Sequence, residues 1–399
     1  MIQTQPLVSS SQTVTPEVAS NAEQLATRLR RAYHQTEFQI TSDEANALIA
    51  IGRRIYPEVQ GRVNIANHQM IVAMSAPLFQ QRLYLNVSAL VLPSKQGLKL
   101  DEVRIGRLRL PGWLVLSSAE RIGNQLLKPA GATQLRAAIH EVTFEHDTLI
   151  LHYQVPEQLQ LSQLNRFREQ WQPYGDPEHI QHYYQTLVNS QSGGTALSGY
   201  LEVLFKEASR RYQDNNGSRS AIEENQAALL ALAVFFGSSK LELILGDVRT
   251  KQPVAQSRQR VTLAGRLDLQ QHFVYSAAIK TLTNRDIGFL AGEMKELLDT
   301  NPGGSGFSFV DLLADKAGVR FAEIALYSEA TARALQQFIV QNGLTDAELL
   351  PDFSLFPEGI QYDTFREDFD TIESEQYQLM LAQINQALAE LPLYQLDYR

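Results

Sequence analysis

The sequence predicts an α+β protein: an N-terminal antiparallel sheet with helices, followed by a mainly α-helical C-terminal domain. Three observations carry this. Runs such as RLYLNVSALVLP and GLKLDEVRIGRLRLP alternate apolar and polar residues, the period of half-buried strands. Beyond residue 158 the apolar residues recur at helical spacing instead. The chain has 399 residues, more than one core usually organises, so two or three domains are expected.

Taken in order, residues 1–20 are polar, rich in Ser and Thr and without periodicity, and read as a flexible tail. An α+β sheet domain is expected over 21–157. AEQLATRLRRAYH opens it with an amphipathic helix. TSDEANALIAIGRRIYP adds a second, with Thr41 or Ser42 as N-cap, acids in the first turn and Pro57 at the stop. Strands follow, turning at NHQ (67–69). A helix is expected near 112–127, then a strand pair around EHD (145–147). Trp113 and Trp171 read as core anchors.

From 158 to 399 the expectation is a mainly helical domain. PYGDP (173–177), SGGT (192–195) and DNNGS (214–218) punctuate it, and Gly237 falls where a helix C-cap belongs. KLELILGD and QRVTLAG read as a short strand pair. Residues 267–340 are mostly helical, with a last helix at about 367–390.

Composition excludes several functions. A net charge of -9 argues against nucleic acid as a partner. With no cysteine there are no disulfides, thiolate metal sites or cysteine nucleophiles. No apolar run is long enough to span a membrane, and no signal peptide is visible. P-loop, dinucleotide and nucleophile-elbow motifs are absent; the His140/His146 pair has no third ligand in evidence, and His179 and His182, at i and i+3, read as a surface helix feature.

One region concentrates chemistry. In HFVYSAA…KELLDTNPGGSGFSFVDLLADKAG, His272 and Ser276 lie one turn apart. Glu296 and Asp299 share a helix face, as do Asp311 and Asp315. The bland reading is a pair of helix ends: Ser308 caps a helix with Asp311 on its first turn, Gly303, Gly304 and Gly306 form the loop, Glu293 and Glu296 are solvated, and His272 is a core histidine. The functional reading is a shared polar site of His272, Ser276, Glu296, Asp299, Ser308, Asp311 and Asp315. Of these, His272, Glu296, Asp299, Asp311 and Asp315 would suit a divalent metal ion. Asp315 lies among apolar residues and needs a partner such as Lys295, Arg320 or an ion. Lys295, beside Glu296 in sequence, should point elsewhere, leaving His272 or an ion to supply positive charge.

The same compound motif (His272, Ser276, Lys295, Glu296, Asp299, Gly306, Phe307, Ser308, Asp311, Asp315 and Gly318) resembles the YfiM-like small bacterial envelope lipoproteins and, more distantly, the VanZ-like membrane proteins, over residues 266–325. ITSDEANALI followed by LYLNVSALVLPSKQGLKLDEVRIGRLRLPGWLV resembles the YpmS-like envelope proteins over 40–156. These resemblances imply a periplasmic or membrane-associated extracytoplasmic protein, binding or structural, with membrane or lipid as partner and an amphipathic ligand held by the N-terminal domain. The rival expectation is a metal-assisted hydrolase acting on an envelope polymer or lipid.

Overall fold

The structure is a computed structural model. It describes residues 2–9, 13–32, 35–55, 58–66, 68–78, 83–126, 131–154, 176–190, 194–214, 219–236, 245, 248, 261–283, 292–293, 295–296, 299–300 and 304–398. The architecture is α+β, with antiparallel sheets and helices first and a helical region after them. The chain divides into two compact units: Met1–Phe167 with Thr371–Glu373, and Arg168–Asp370 with Ser374–Arg399.

In the N-terminal unit, β1 (Ile2–Gln3) and α1 (Pro16–Ala32) precede β2 (Glu37–Thr41) and α2 (Ser42–Ile55). Then come β3 (Gln60–Ala66), β4 (Gln69–Leu78), β5 (Leu83–Leu92), β6 (Lys99–Ile105) and β7 (Leu108–Pro111). The unit closes with α3 (Gly112–Leu126), α4 (Gly131–Ala138), β8 (Ile139–Glu145) and β9 (Thr148–Tyr153). The expected single sheet is two. One has six strands in the order β3-β4-β5-β6-β7, with β1 on β5; the other has three, β2-β9-β8. The strand β2 falls in EFQIT, too short a run for periodicity to mark, and only pairing with β9 makes it a strand. The β3–β4, β6–β7 and β8–β9 turns place His68, Gly106 and His146 at positive φ.

Val63 and Ile65 of β3, Val91 of β5, and Val142, Phe144 and Leu149 of the second sheet form one buried cluster, so the core lies between the sheets. The helix α2 starts at a reciprocal cap: Thr41 Oγ1 accepts from Glu44 N–H, and Glu44 accepts from Thr41 N–H. Its expected stop at Pro57 lies outside the described residues.

Two expectations fail here. Residues 1–20 are not a flexible tail throughout: β1 pairs with β5, and α1 begins at Pro16. Asn86 Oδ1 accepts from Leu7 N–H, Ser75 Oγ accepts from Val8 N–H, and Val8 and Val14 are buried. Polar composition hid a segment whose backbone bonds are satisfied by distant side chains. Trp113 is no core anchor, being 67% exposed. Its neighbour Gly112 takes the inward position, where a Cβ would lie 2.0 Å from the Leu100 carbonyl oxygen.

The second unit is helical: α5 (Pro177–Asn189), α6 (Leu197–Asp214), α7 (Ala221–Phe236), α8 (Leu267–Thr283), α9 (Phe309–Leu326), α10 (Glu329–Asn342), α11 (Asp346–Leu349), α12 (Tyr362–Asp368) and α13 (Glu375–Ala389), ending in a 3-10 turn, Pro392–Tyr398. The helix α7 is apolar on nearly all sides, as an enclosed helix must be, and α5, α6, α8, α9 and α10 pack around it. No helix among the described residues is long and apolar enough to cross a membrane. The expected helix at 367–390 is α13 preceded by the separate α12. Within QRVTLAG the described residues make only isolated bridges, Thr262 with Ala196 and Leu263 with Arg266, not a strand pair. Trp171, Gly237 and most of KLELILGD, PYGDP and DNNGS lie outside the described residues; Leu245 of KLELILGD is helical.

Candidate metal centre

The helices α8 and α9 make the most intimate pair in this unit because Gly318 has no side chain. A Cβ there would lie 2.2 Å from the Phe273 carbonyl oxygen. This close approach sets His272 and Ser276 of α8 against Asp311 and Asp315 of α9. The third wall is made by Gly292, Glu293, Lys295, Glu296 and Asp299, all helical. Gly292 admits Asp315: a Cβ there would lie 1.8 Å from Asp315 Oδ2.

The start of α9 is the N-cap expected from the sequence. Ser308 Oγ accepts from Asp311 N–H at 3.0 Å. Ser308 N–H donates to Glu296 Oε2 at 3.1 Å, so the cap also anchors a site residue. Gly306, at φ 86, donates its N–H to the Asp299 carbonyl at 2.7 Å and leaves no room for a Cβ against Gly359. Gly303 lies outside the described residues. Beneath the loop, Phe307, Phe309, Phe365, Phe369 and Tyr377 form an aromatic cluster with ring centroids 4.8 Å apart at the nearest.

Asp315 is buried and is the hub. Its Oδ1 accepts from Ser276 Oγ at 2.5 Å and its Oδ2 from His272 Nδ1 at 3.0 Å. With Nδ1 turned to Asp315, Nε2 faces away from it. Nε2 looks at Asp311 Oδ2, 3.4 Å away, and at Glu296 Oε1, 3.8 Å away. Ligand atoms of His272, Glu296 and Asp311 lie within 4.8 Å of one another. Two donors each about 2.1 Å from one tetrahedral ion would sit about 3.4 Å apart, close to these separations. Asp311 Oδ1 is buried without a hydrogen-bond partner, although the Arg266 guanidinium is 3.7 Å away.

Burial drives the electrostatics. It pushes Glu296 up to about 7, against the lowering pull of Lys295. Burial likewise holds Asp311 and Asp315 above the usual carboxylate range. For His272, burial pulls downward, but the hydrogen bond to Asp315 and the nearby charges of Asp315, Asp311 and Glu296 outweigh it and raise the imidazole.

The structure thus gathers His272, Ser276, Glu296, Ser308, Asp311 and Asp315, and it corrects four expectations. Asp299 stays outside, bound through its carboxylate to Lys295 Nζ at 2.8 Å and Ser305 Oγ at 3.3 Å. Lys295 is a neutraliser after all: its flexible stem curls back so that Nζ reaches Glu296 Oε1 at 2.8 Å. Asp315 takes His272 and Ser276 as partners rather than Lys295 or Arg320. Glu293 and Glu296 are buried, not solvated, and Tyr377 donates to Glu293 at 2.7 Å. Arg266, unnoticed in the sequence, binds Asp268 and Glu358 and approaches Asp311. Its only sequence signal was the neighbouring Asp268.

Although Ser, His and Asp are all present, they do not form a nucleophilic relay. Ser276 donates to the acid, not to the imidazole, so His272 is not placed to take its proton. The pattern instead matches a carboxylate–histidine pair presenting Nε2 to a cation.

No protein-family model matches the chain, and neither a curated protein nor a solved structure shows significant similarity to it.

Proposed function

We propose that the helical unit is a divalent-metal centre, with His272 Nε2, Glu296 and Asp311 as ligands. The carrying observation is the orientation of His272: Asp315 takes Nδ1, and Nε2 faces two carboxylates, one with an unpartnered buried oxygen. One nitrogen and two or more oxygens suit a borderline ion such as zinc or manganese. Three protein ligands leave a coordination position free, the pattern of catalytic rather than closed structural sites. The His272 and Asp311 side chains keep 10% and 11% exposure, so the cluster meets solvent at one edge. The reaction class that follows is metal-assisted hydrolysis: the ion would supply Lewis-acid activation of a water. Asp311 Oδ1 would accept the proton, and Asp315 would keep His272 in register.

The test uses the full chain stripped with chelator. Adding zinc or manganese should raise the melting temperature, by about 2.7 kcal/mol in stability at a hundredfold excess over Kd. His272→Ala and Asp311→Asn should each abolish the rise. If neither ion moves the wild-type transition, there is no centre; if Asp311→Asn responds as wild type does, the ion sits elsewhere.

A second reading is favoured by a groove of about 510 Å³ in the N-terminal unit, lined by Ile40, Leu48, Ile49, Val63, Val72 and Met74, with Arg53 among the wall residues. Such a wall suits the acyl chain of an amphipathic ligand, with the guanidinium near its anionic head. The envelope setting implied by the sequence resemblances would supply such ligands. Mass spectrometry of the purified protein should find a co-purified lipid, absent after Ile49→Asp; a lipid-free wild-type protein would count against this reading.

A further inference from the structure

We propose that the outward face of α3, with the adjoining β6–β7 turn, docks on an anionic lipid surface. The helix is fixed to its unit by two glycines. Gly112 lies against Leu100, and Gly123 lies so near α4 that a Cβ would be 2.7 Å from Ala132 Cβ. Held this way, α3 turns Trp113, Leu114, Arg121 and Ile122 outward; separations of seven and eight residues return to one side of a helix. Trp113 is 67% exposed and Ile122 61%. The strand β7, which runs directly into α3, exposes Leu108, and α4, packed beside α3, exposes Leu135. An exposed large aromatic with aliphatic neighbours is the composition that buries itself at the boundary between headgroups and acyl chains.

Charge decides which surface. Residues 99–122 hold Lys99 and four arginines (Arg104, Arg107, Arg109 and Arg121) against the acids Asp101, Glu102 and Glu120, a local excess of positive charge in a chain whose net charge is -9. Glu120 is taken by Arg136. Arg104 and Arg109 share Glu102. Arg107 and Arg121 are exposed and make no ion pair with the described residues, and both lie on the stretch of chain that carries the apolar residues. The fit is to lipid phosphates above an apolar layer. Leu108, Leu114 and Ile122 would gain nothing from a nucleic-acid backbone, whereas acyl chains would bury them.

The experiment presents the full chain with vesicles of phosphatidylglycerol or of phosphatidylcholine. Co-sedimentation with phosphatidylglycerol is expected, at least tenfold stronger than with phosphatidylcholine and weakened by salt. Trp emission should shift to the blue and be quenched by chain-brominated lipid, a change lost in Trp113→Phe. The double variant Arg107→Glu, Arg121→Glu should lose at least tenfold in partitioning while keeping its circular dichroism; both side chains are exposed, so the fold does not depend on them. The proposal is overturned if the chain ignores phosphatidylglycerol or if the charge-reversed variant binds equally. It is also overturned if sedimentation leaves the Trp113 signal unchanged, or if the patch instead joins two copies of the chain, seen as a dimer that Trp113→Ser dissolves.

Discussion

His272 Nδ1 sits 3.0 Å from Asp315 Oδ2, and this one contact orients the imidazole of α8 from the buried second turn of α9. Asp315→Asn should therefore act twice. The buried pair is broken, at a cost of about 1–3 kcal/mol, and Nε2 is no longer held toward Glu296 and Asp311. Metal affinity should fall about 10- to 100-fold, the usual penalty for losing a partner that orients a ligand. Calorimetric titration with zinc checks it; an Asp315→Asn protein that melts and titrates like wild type would reduce the cluster to two helix caps.

The metal-free protein should lose stability as pH rises. Glu296 keeps its proton to about 7 when folded, against 4.5 for an unperturbed glutamate, and Asp311 and Asp315 are raised in the same direction. Between those limits the folded state binds more protons than the unfolded one, so unfolding becomes easier with increasing pH. For Glu296 alone the loss amounts to about 3 kcal/mol. The raised His272 acts alike: its stabilising charge is complete below 6.5 and fades as pH rises through the folded value. Thermal melts from pH 5 to pH 8 should show the fall, and a divalent ion should raise stability more at pH 8 than at pH 5. A flat profile would show that burial does not govern these groups.

Lys295→Met separates the roles of the two cations. Lys295 lowers the Glu296 pKa, so removing it should drive that pKa higher. At pH 8 the buried carboxylate then lacks its ammonium, and the variant should melt well below wild type. At pH 5 Glu296 is already protonated, and the difference should shrink to the small worth of an exposed pair with Asp299. Equal losses at both pH values would mean that Lys295 serves packing alone.

Gly292→Ala adds one methyl group and no charge. With its Cβ 1.8 Å from Asp315 Oδ2, the carboxylate or the Gly292 backbone must move. A cost of about 1–3 kcal/mol is expected from overpacking, together with weakened metal binding. Normal stability and affinity would show that Asp315 has room the close contact denies.

Ser308→Ala removes the cap of α9, worth about 1 kcal/mol. The Ser308 N–H to Glu296 remains available because it belongs to the backbone. Stability should fall with little change in metal affinity, measured by the same titration; a large affinity loss would assign the hydroxyl a part in the site.

Much of this was legible in the chain itself. Alternation over 60–111 and 139–153 marked the strands because one face of each meets a core, and local composition records that. Ser308 and Asp311 declared a helix start because a cap is satisfied within three residues. That His272 and Ser276 share a helix face was legible for the same reason, being one turn apart. What lay beyond reach depended on partners far along the chain. The strand β2 exists because β9 lies beside it; the first residues are ordered because Asn86 and Ser75 bind their backbone. Spacing could say that Glu296 and Asp299 share a helix face, but not that Asp299 would turn to Lys295 and Ser305 while Glu296 entered the core. Nor could adjacency in sequence reveal that Lys295 would reach back across its own helix to Glu296. Sequence by itself determined which residues could be capped, alternated or aligned, since those relations span a few residues. Only the tertiary structure decided which acids are buried and which histidine nitrogen faces Glu296 and Asp311, because both follow from the approach of α8 and α9 that Gly318 permits.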